Sequence, residues 1–369
     1  MKKTFGSIAA AAFLAVASIS TAQITTAWVV KSTDASPPFY LPGSGGTPSN
    51  TNLSRGMSYD GVRDRIYITS RNTDAGSAAN VAVVDPATGA LSSVTHLGAA
   101  ITGGALTLMG CDVDDDPTAP KLYFSNLSTT TNTSAIKVYR LTDPTNAASL
   151  TTVLNTTITE NTRIGDTIQV VGSGTSTEIW MASNSALNTL PVLIRATTVD
   201  GDNFTITDKF FLAASGAARI NLGLTVYGTG ASQLIYGDNT GNEPVKVTIG
   251  SFGTAGTASF TGGFTNPSNI STSIAGISVY QFNGINYLFN GPAGTVAQPA
   301  ELWDVTSTPV RVLNAPAQTV TGATNTNGNA GTAFDTVRKR VIAFDQNAFL
   351  ASFDVSPVLS VADWAMIDD

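Results

Sequence analysis

The sequence predicts an all-β protein built from six consecutive four-stranded units, and three observations support this prediction. Glycine is abundant, with 34 of 369 residues, and only 12% of residues are charged. With many Thr, Ser and Asn, this composition favours strands and tight turns over helices. Glycines that precede short apolar runs recur at steps of 54, 55, 58, 53 and 55 residues, at Gly56, Gly110, Gly165, Gly223, Gly276 and Gly331. Each step holds about four strand-like runs, the content of one blade of a β-propeller.

The first two units show the pattern most clearly. Strands are predicted at 57–60, 65–70, 80–85 and 91–97 in the first unit, and at 111–114, 121–125, 135–141 and 150–154 in the second. The turn Asp85-Pro86-Ala87-Thr88-Gly89 joins the last two strands of the first unit, because Asp opens a turn, Pro fixes φ and Gly takes the left-handed position. Asp143-Pro144-Thr145-Asn146 has the same place in the second unit.

The next three units follow the same plan. Their strands are predicted at 167–171, 178–182, 192–197 and 204–211, then at 224–227, 233–236, 245–249 and 258–260, then at 277–282, 286–289, 301–305 and 310–313. The segment Asp200-Gly201-Asp202-Asn203 is a typical hairpin turn.

The sixth unit has three clear strands, at 332–334, 340–344 and 350–355. The run 26–30 lies before the first repeat glycine, where the other units place their outer strand. We therefore expect this N-terminal strand to complete the last blade and close the ring, which removes open sheet edges. The tail 358–367 competes for the same place. The predicted fold is a single six-bladed β-propeller over residues 23–369, with four-stranded blades.

The N-terminus has the pattern of a signal peptide. Lys2 and Lys3 precede an apolar run at 8–19, and Ser20-Thr21-Ala22 supplies small residues for cleavage before Gln23. The run is too short for a membrane span, and no other stretch is long and apolar enough for one. We expect removal of 1–22 and a bacterial protein that is secreted, periplasmic or on the cell surface. The net charge of −7 and the lack of a basic patch argue against a nucleic-acid partner.

The repeated motif also resembles a known class of proteins. Gly-x-x-(Tyr/Val/Phe)-Asp, followed by a polar turn and by Arg-Ile-Tyr-Ile or Arg-Val-Ile-Ala-Phe, is similar to six-bladed propellers of the NHL, YVTN and SMP-30 kind. The resemblance covers nearly all of the chain after the signal peptide. It implies the propeller fold and leaves function open, since such propellers include lactonases, peptidylglycine-processing enzymes and adhesive modules. The Glu, Asn and Asp that hold a divalent ion in SMP-30-like enzymes have no residue-by-residue counterpart here.

The fifth position of each repeat carries a polar or aromatic residue, and these positions cluster near one end of the axial channel in a propeller. They are therefore candidates for a ligand-binding channel mouth: Asp60, Asp114, Gln169, Tyr227, Tyr280 and Asp335. The alternative is that each side chain bonds to the following turn or to the next blade, as short Asp side chains commonly do.

Metal binding has one candidate stretch, Asp112-Val113-Asp114-Asp115-Asp116. We expect no cofactor, and calcium is the alternative, because Asp112 and Asp114 are expected on one face of a strand, where their oxygens would suit that ion. The run lacks the glycine and the ligand spacing of an EF-hand loop.

Histidine and cysteine, which many enzymes use for catalysis, are scarce in this chain, and this favours a binding or structural function over an enzymatic one. His96 and Cys111 are the single histidine and cysteine, which argues against zinc hydrolases and thiol proteases. We therefore expect an exported, non-catalytic binding or structural module whose partner is a protein, a glycan or a small polar ligand. The alternative is a divalent-metal-dependent hydrolase or lactonase at the channel mouth, using Asp60, Asp114 and Asp335. A subunit of a surface layer or fibre is a third interpretation.

Overall fold

The computed structural model describes residues 23–35, 37–38, 54–71, 79–216, 218–230, 233–238, 243–264, 274–292, 300–318, 330–346 and 348–358. The predicted signal peptide and all of the tail beyond 358 lie outside the described residues. Within them, the strands are β1 (Thr25–Lys31), β2 (Ser54–Asp60), β3 (Arg65–Ser70), β4 (Asn80–Val84), β5 (Leu91–His96), β6 (Cys111–Val113), β7 (Leu122–Ser125), β8 (Ile136–Leu141), β9 (Leu150–Thr156), β10 (Gln169–Val171), β11 (Glu178–Ala182), β12 (Pro191–Thr198), β13 (Phe204–Leu212), β14 (Gly223–Tyr227), β15 (Leu234–Asp238), β16 (Val245–Ser251), β17 (Gly256–Thr261), β18 (Ile274–Phe282), β19 (Ile285–Pro292), β20 (Glu301–Asp304), β21 (Val310–Asn314), β22 (Ala330–Asp335), β23 (Arg340–Asp345) and β24 (Phe349–Asp354).

The described residues are nearly all β, as the sequence predicts, with one helical turn at 356–358. Besides strands, the described residues include short 3-10 segments at Gly98–Ala100, Ala147–Ser149 and Gly174–Ser176. No helix in the described part of the chain has the length and apolar character needed to cross a membrane.

The strands form antiparallel meanders in chain order, arranged as in a propeller. Four sheets have four strands each: β2–β5, β6–β9, β18–β21, and β22–β24 with β1. A further sheet has eight strands and consists of the meanders β10–β13 and β14–β17. Their last strands pair in parallel, with Phe210–Leu212 against Gly256–Ala258. The first strand of each meander contacts the first strand of the next, and β22 contacts β2, so these strands surround a common axis.

The N-terminal strand occupies the place that the sequence suggested for 26–30. β1 pairs antiparallel with β24, with Thr25 opposite Asp354 and Lys31 opposite Phe349. The indole Nε1 of Trp28 donates a 2.8 Å hydrogen bond to the Pro86 carbonyl in the first sheet. β1 thus joins the last sheet of the chain to the first.

Close approach of the first strands explains most of the repeat glycines. A Cβ atom on Gly56 would clash with the backbone nitrogen of Cys111, and one on Gly110 would lie 3.0 Å from the Cα of Thr167. A Cβ on Gly276 would lie 3.0 Å from the backbone of Gly331. A side chain is therefore excluded at these glycine positions, where the backbones of neighbouring first strands approach one another.

Gly165 departs from this pattern. It lies four residues before β10, with a φ of 110°, and its missing Cβ would clash with the Asn126 carbonyl of the preceding sheet. The repeat spacing placed it in register with the other glycines, but its role is to let a connecting loop pass close to the second sheet. Gln169, counted from it, consequently begins a strand instead of ending one.

Apolar clusters fill the space between successive meanders. Tyr67 and Val83 pack with Leu122 and Phe124 between the first two sheets, for example. Ile66 and Ile68 pack with Ile342 and Phe344 between the first sheet and the last. Trp180 and Trp303 are fully buried within such clusters, as expected for residues that pack between units. This division of the core holds the first strands at fixed positions around the axis.

Candidate functional site

Two adjacent spaces lie along the axis. The "narrow cavity", of about 40 Å³, lies where the first strands begin and is lined by residues such as Arg55, Gly110, Asp166 and Gly331. The "wide cavity", of about 530 Å³, lies where the same strands end, and all six of them contribute side chains to its wall. Gln169 and Met57 line both spaces, so they mark the boundary between the two cavities.

The wide cavity brings together half of the residues that the fifth-position pattern singled out. Gln169, Tyr227 and Tyr280 line it. Asp60, Asp114 and Asp335 do not; they are buried, with exposed fractions of 1%, 4% and 1%. Asp60 and Asp114 border instead a separate groove of about 390 Å³ between the first two sheets.

The carboxylates of Asp60 and Asp114 accept hydrogen bonds from the hairpin turns that follow them. Asp60 accepts from the backbone nitrogens of Val62 and Arg63, at 3.0 and 2.8 Å. Asp114 accepts from the backbone nitrogen of Lys121 at 2.9 Å, and the Lys121 ammonium lies 3.5 Å away. This bonding is what short acidic side chains supply at turns, and it occupies the oxygens that a ligand would need.

The turn after Asp335 also connects the last sheet to the first. Arg338 donates to Asp335 at 3.1 Å and to Asp64 in the neighbouring turn at 2.7 and 2.5 Å. The Tyr59 hydroxyl lies 3.0 Å from Asp335 and 3.1 Å from Asp64. The hydrogen bonds from Arg338 are the main cause that lowers the pKa of Asp64. Asp335 therefore belongs to a contact between sheets.

Asp112 has the most unusual environment in the wall of the wide cavity. It is half-buried on β6, and its Oδ1 accepts a 2.9 Å hydrogen bond from Ser58 Oγ on β2. Its Oδ2 accepts a 2.8 Å bond from the Val170 backbone nitrogen on β10. Burial raises the pKa of Asp112 to about 7, while these hydrogen bonds and that of Val113 lower it. This carboxyl group thus bridges three first strands and titrates near neutral pH.

The two candidate metal ligands do not share a site. Asp112 lines the wide cavity, whereas Asp114 borders the separate groove and is bonded to its own turn. The expected common face is lost because β6 ends at Val113, so Asp114 no longer follows the alternation of the strand. No group of three or more His, Cys, Asp or Glu side chains in the described residues is arranged to hold a metal ion.

Aromatic side chains form much of the remaining wall. Tyr59, Tyr227, Tyr280 and Phe334 all line the wide cavity and are half-buried. Tyr280 and Phe334 stack with their ring centroids 5.4 Å apart and an interplanar angle of 30°. Partial exposure of aromatic rings in a concave space gives apolar surface for a ligand, while the hydroxyl groups supply polar contacts.

Two hydroxyl groups in the same wall lack partners. Ser278 Oγ and Thr332 Oγ1 are buried and make no hydrogen bond within the described residues. The described lining residues include the acids Asp112 and Asp115 but no lysine, arginine or histidine. The two hydroxyl oxygens are closed off from solvent, so the wide cavity itself offers carboxyl groups and aromatic surface, a set suited to a neutral or cationic polar molecule.

Sequence reasoning treated Asp112 as a metal ligand and missed its position between three strands, and it did not consider Ser278 and Thr332. Strand alternation was a signal for Ser278, which lies two positions before Tyr280 on β18. It was no guide to Asp112 and Thr332, because the candidates of their strands, Asp114 and Asp335, do not line the cavity. His96, by contrast, is exposed on β5, where its Nδ1 lies 2.8 Å from Asn80 Oδ1, far in the fold from the first strands.

No model of a known protein family and no curated protein matches the chain. Solved structures do resemble it. A DUF4623 family protein from Bacteroides eggerthii has a TM-score of 0.51 at 17% identity, over 83% of this chain and 71% of that one. Trypanosoma rangeli sialidase has a TM-score of 0.50 at 10% identity, over 89% of this chain and 60% of that one. The lectin of the fungus Aleuria aurantia, described as a six-bladed β-propeller, has a TM-score of 0.47 at 14% identity, over 76% and 85%. At these identities the likeness concerns the fold alone.

Proposed function

We propose that this protein is an exported six-bladed propeller that binds a small neutral carbohydrate in its wide cavity and catalyses no reaction. The observation that carries the proposal is the composition of the cavity wall, where half-buried aromatic rings, three of them tyrosines, stand beside carboxyl groups. Sugars present apolar C–H faces and many hydroxyls, so they need aromatic surface and polar groups together. The volume of about 530 Å³ lies within the usual range for small-molecule sites.

The count of six blades treats the eight-stranded sheet as two blades. Each of its meanders starts with its own axial strand, β10 or β14, and they share only a short parallel pairing. Export is proposed from the sequence of residues 1–22. Cleavage before Gln23 would retain Ile24, which is fully buried against the last sheet.

Titration of the purified protein with a panel of neutral mono- and disaccharides, followed by calorimetry, tests the binding proposal. We expect one sugar class to bind, and Tyr227→Ala or Asp112→Asn to weaken that binding at least about tenfold, the usual scale for losing a charged hydrogen-bond partner or a stacked ring. Phe252→Ala is the matched control, because Phe252 is an exposed aromatic residue that lines a different groove. Equal losses in Tyr227→Ala and Phe252→Ala, or no binding of any sugar, would refute carbohydrate binding in this cavity.

One observation favours hydrolysis as the second candidate function. Asp112 has a pKa of about 7 and lines the cavity, and a general acid works best with a pKa near the operating pH. Asp115 lines the same cavity and could act as the second carboxylate of a glycoside-cleaving pair. Release of product from nitrophenyl glycosides, abolished in Asp112→Asn, would establish the hydrolase, while binding without turnover would support the non-catalytic module.

A further inference from the structure

The two carboxyl groups of the wide cavity have no positively charged partner. Asp112 accepts hydrogen bonds from a hydroxyl group and a backbone nitrogen, and Asp115 accepts a 2.7 Å bond from the backbone nitrogen that follows β10. Neither acid forms an ion pair within the described residues. Lys121, just before β7, lies instead 3.5 Å from Asp114 and 3.6 Å from Asp116. No contact inside the described part of the protein therefore neutralises the charge of Asp112 and Asp115.

The electrostatic effects on neighbouring groups show that Asp115 lies near both Asp112 and an aromatic ring. Burial raises the pKa of Asp112 to about 7, its hydrogen bonds lower it, and the negative charge of Asp115 raises it. The pKa of Tyr227 is also raised, first by burial, then by Tyr280 and by Asp115. Asp115 is thus a like-charged neighbour of Asp112. A positive charge in the cavity would favour the ionised form of both acids.

Aromatic rings supply a second attraction for a cation. Tyr59, Tyr227, Tyr280 and Phe334 are half-buried in the wall of the wide cavity, so part of their surface faces its interior. The face of an aromatic ring attracts an ammonium group, and the attraction grows when the cation leaves water. Among the described lining residues there is no lysine, arginine or histidine to occupy these rings. The wall therefore offers a cation both carboxylates and aromatic faces.

Asp115 is accessible to a ligand, because it is exposed and lines both the wide cavity and the groove between the first two sheets. We propose that the wide cavity binds a small organic ammonium ion, whose charged group contacts Asp115 and Asp112 and whose body packs on the aromatic rings. The inference rests on the proposed function in using the same cavity. An amino sugar would bind more tightly there than the corresponding neutral sugar, and amines that are not sugars would bind as well.

Two pairs of probes that differ in one functional group test this inference by calorimetry. Cyclohexylammonium is compared with cyclohexanol, and glucosamine with glucose, at pH 7 in phosphate buffer of constant ionic strength without other organic amines. We expect the ammonium member of at least one pair to bind at least about tenfold more tightly, since hydrogen bonds between charged groups are stronger than neutral ones. Equal affinities within both pairs, or no binding of either ammonium ion, would overturn the inference. Tighter binding of cyclohexanecarboxylate than of cyclohexanol would also overturn it.

The same probes separate this inference from the proposed function. A preference for cyclohexylammonium with no sugar bound would support the ammonium site and refute carbohydrate binding. Equal binding of glucose and glucosamine, with no preference in the cyclohexyl pair, would support the sugar site and refute the ammonium site. A preference for glucosamine in the sugar pair alone would support the ammonium site and identify an amino sugar as the ligand class.

Asp115→Asn then locates the negative charge that the ammonium group contacts. Asparagine can still accept the bond from the backbone nitrogen, but it carries no charge, so we expect the difference in affinity within a pair to shrink at least about fivefold. Asp116→Asn is the matched control, because Asp116 is the next residue along the chain and borders the groove but not the wide cavity. It should keep the full difference.

A second variant covers the case in which Asp115→Asn does not fold. Asp112→Asn removes the other charge of the wall and should also reduce the difference in affinity within a pair. An undiminished preference for the ammonium ion in whichever of these variants folds, or equal reductions in that variant and Asp116→Asn, would overturn the assignment to these two carboxylates.

Discussion

The Asp112 carboxyl group accepts hydrogen bonds from two neighbouring first strands, and its protonation state should affect stability. Its pKa in the folded protein is about 7, whereas an exposed Asp has a pKa of about 3.9. Between about pH 4 and 7 the folded protein therefore binds more protons than the unfolded chain, and the free energy of unfolding falls as the pH rises. We expect this pH dependence to be absent in Asp112→Asn. The free energy of unfolding of the variant, measured by urea unfolding, should therefore increase relative to that of wild type as the pH is raised from 5 to 8.

Asp116→Asn is the control for this pH prediction. Asp116 accepts hydrogen bonds in its own exposed turn, which lower its pKa to about 2. Its stabilising contribution is complete above the unfolded pKa and is lost only as the pH falls through the folded value, so it should not change between pH 5 and 8. The same pH slope in wild type and Asp112→Asn would show that another group controls stability in this range.

The residues of the candidate site also show where sequence reasoning stops. Asp60 and Asp335 recur at one position of the repeat, but the direction of their side chains depends on turn hydrogen bonds a few residues later. Arg55 stands directly before a repeat glycine, yet a lone arginine gives no sign that Arg71 and Arg163 lie near it. Arg163 lies 108 positions after Arg55, and although this is close to two repeat steps, the repeat does not show that the two side chains lie near one another.

At the scale of elements, the first strands depend on glycine wherever they converge on the axis. In Gly56→Ala the added Cβ would clash with the backbone nitrogen of Cys111 and approach the Gly110 backbone to 2.8 Å. Backbone atoms of a neighbouring strand cannot rotate away as a side chain can, so we expect a loss of about 1–3 kcal/mol in the free energy of unfolding. Gly216→Ala is the matched control, because a Cβ there has nothing within 4 Å. Its effect should stay within about 0.5 kcal/mol, and equal losses in both variants would contradict the steric explanation.

The strand positions could be predicted from the sequence, but the register of the third unit, counted from Gly165, could not. Alternating apolar residues and turn signals such as Asp85-Pro86 are local, so the predicted strands lie close to the observed ones in nearly every unit. Gly165 fitted the spacing of the other glycines but lies in a loop that passes the Asn126 carbonyl. The sequence does not distinguish a glycine that lets two strands converge from one that lets a loop pass close to a sheet, because in both cases the requirement is the absence of a Cβ atom.

For the whole molecule, closure depends on β1, the element farthest in sequence from the sheet that it completes. Six of its seven residues pair with β24, and Trp28 and Val30 pack in the cluster between the last sheet and the first. Removal of residues 23–31 would expose the edge of β24 and leave that cluster open on one side. We expect a lower unfolding temperature by calorimetry and concentration-dependent association by light scattering, since an exposed strand edge pairs readily with other chains.

Adding the missing strand as a peptide shows whether the shortened chain is destabilised by the loss of specific strand pairing or by a nonspecific loss of apolar contacts. A synthetic peptide of residues 23–31 supplies the backbone donors and acceptors opposite Asp354 to Phe349 and the side chains of Trp28 and Val30. In excess over the shortened chain, it should restore much of the unfolding temperature and suppress association, because strand addition uses the same ladder as the intact protein. A scrambled peptide of the same composition should have no effect. Equal rescue by both peptides would mean that the shortened chain is stabilised by nonspecific apolar contact, and that β1 does not close the ring by specific pairing.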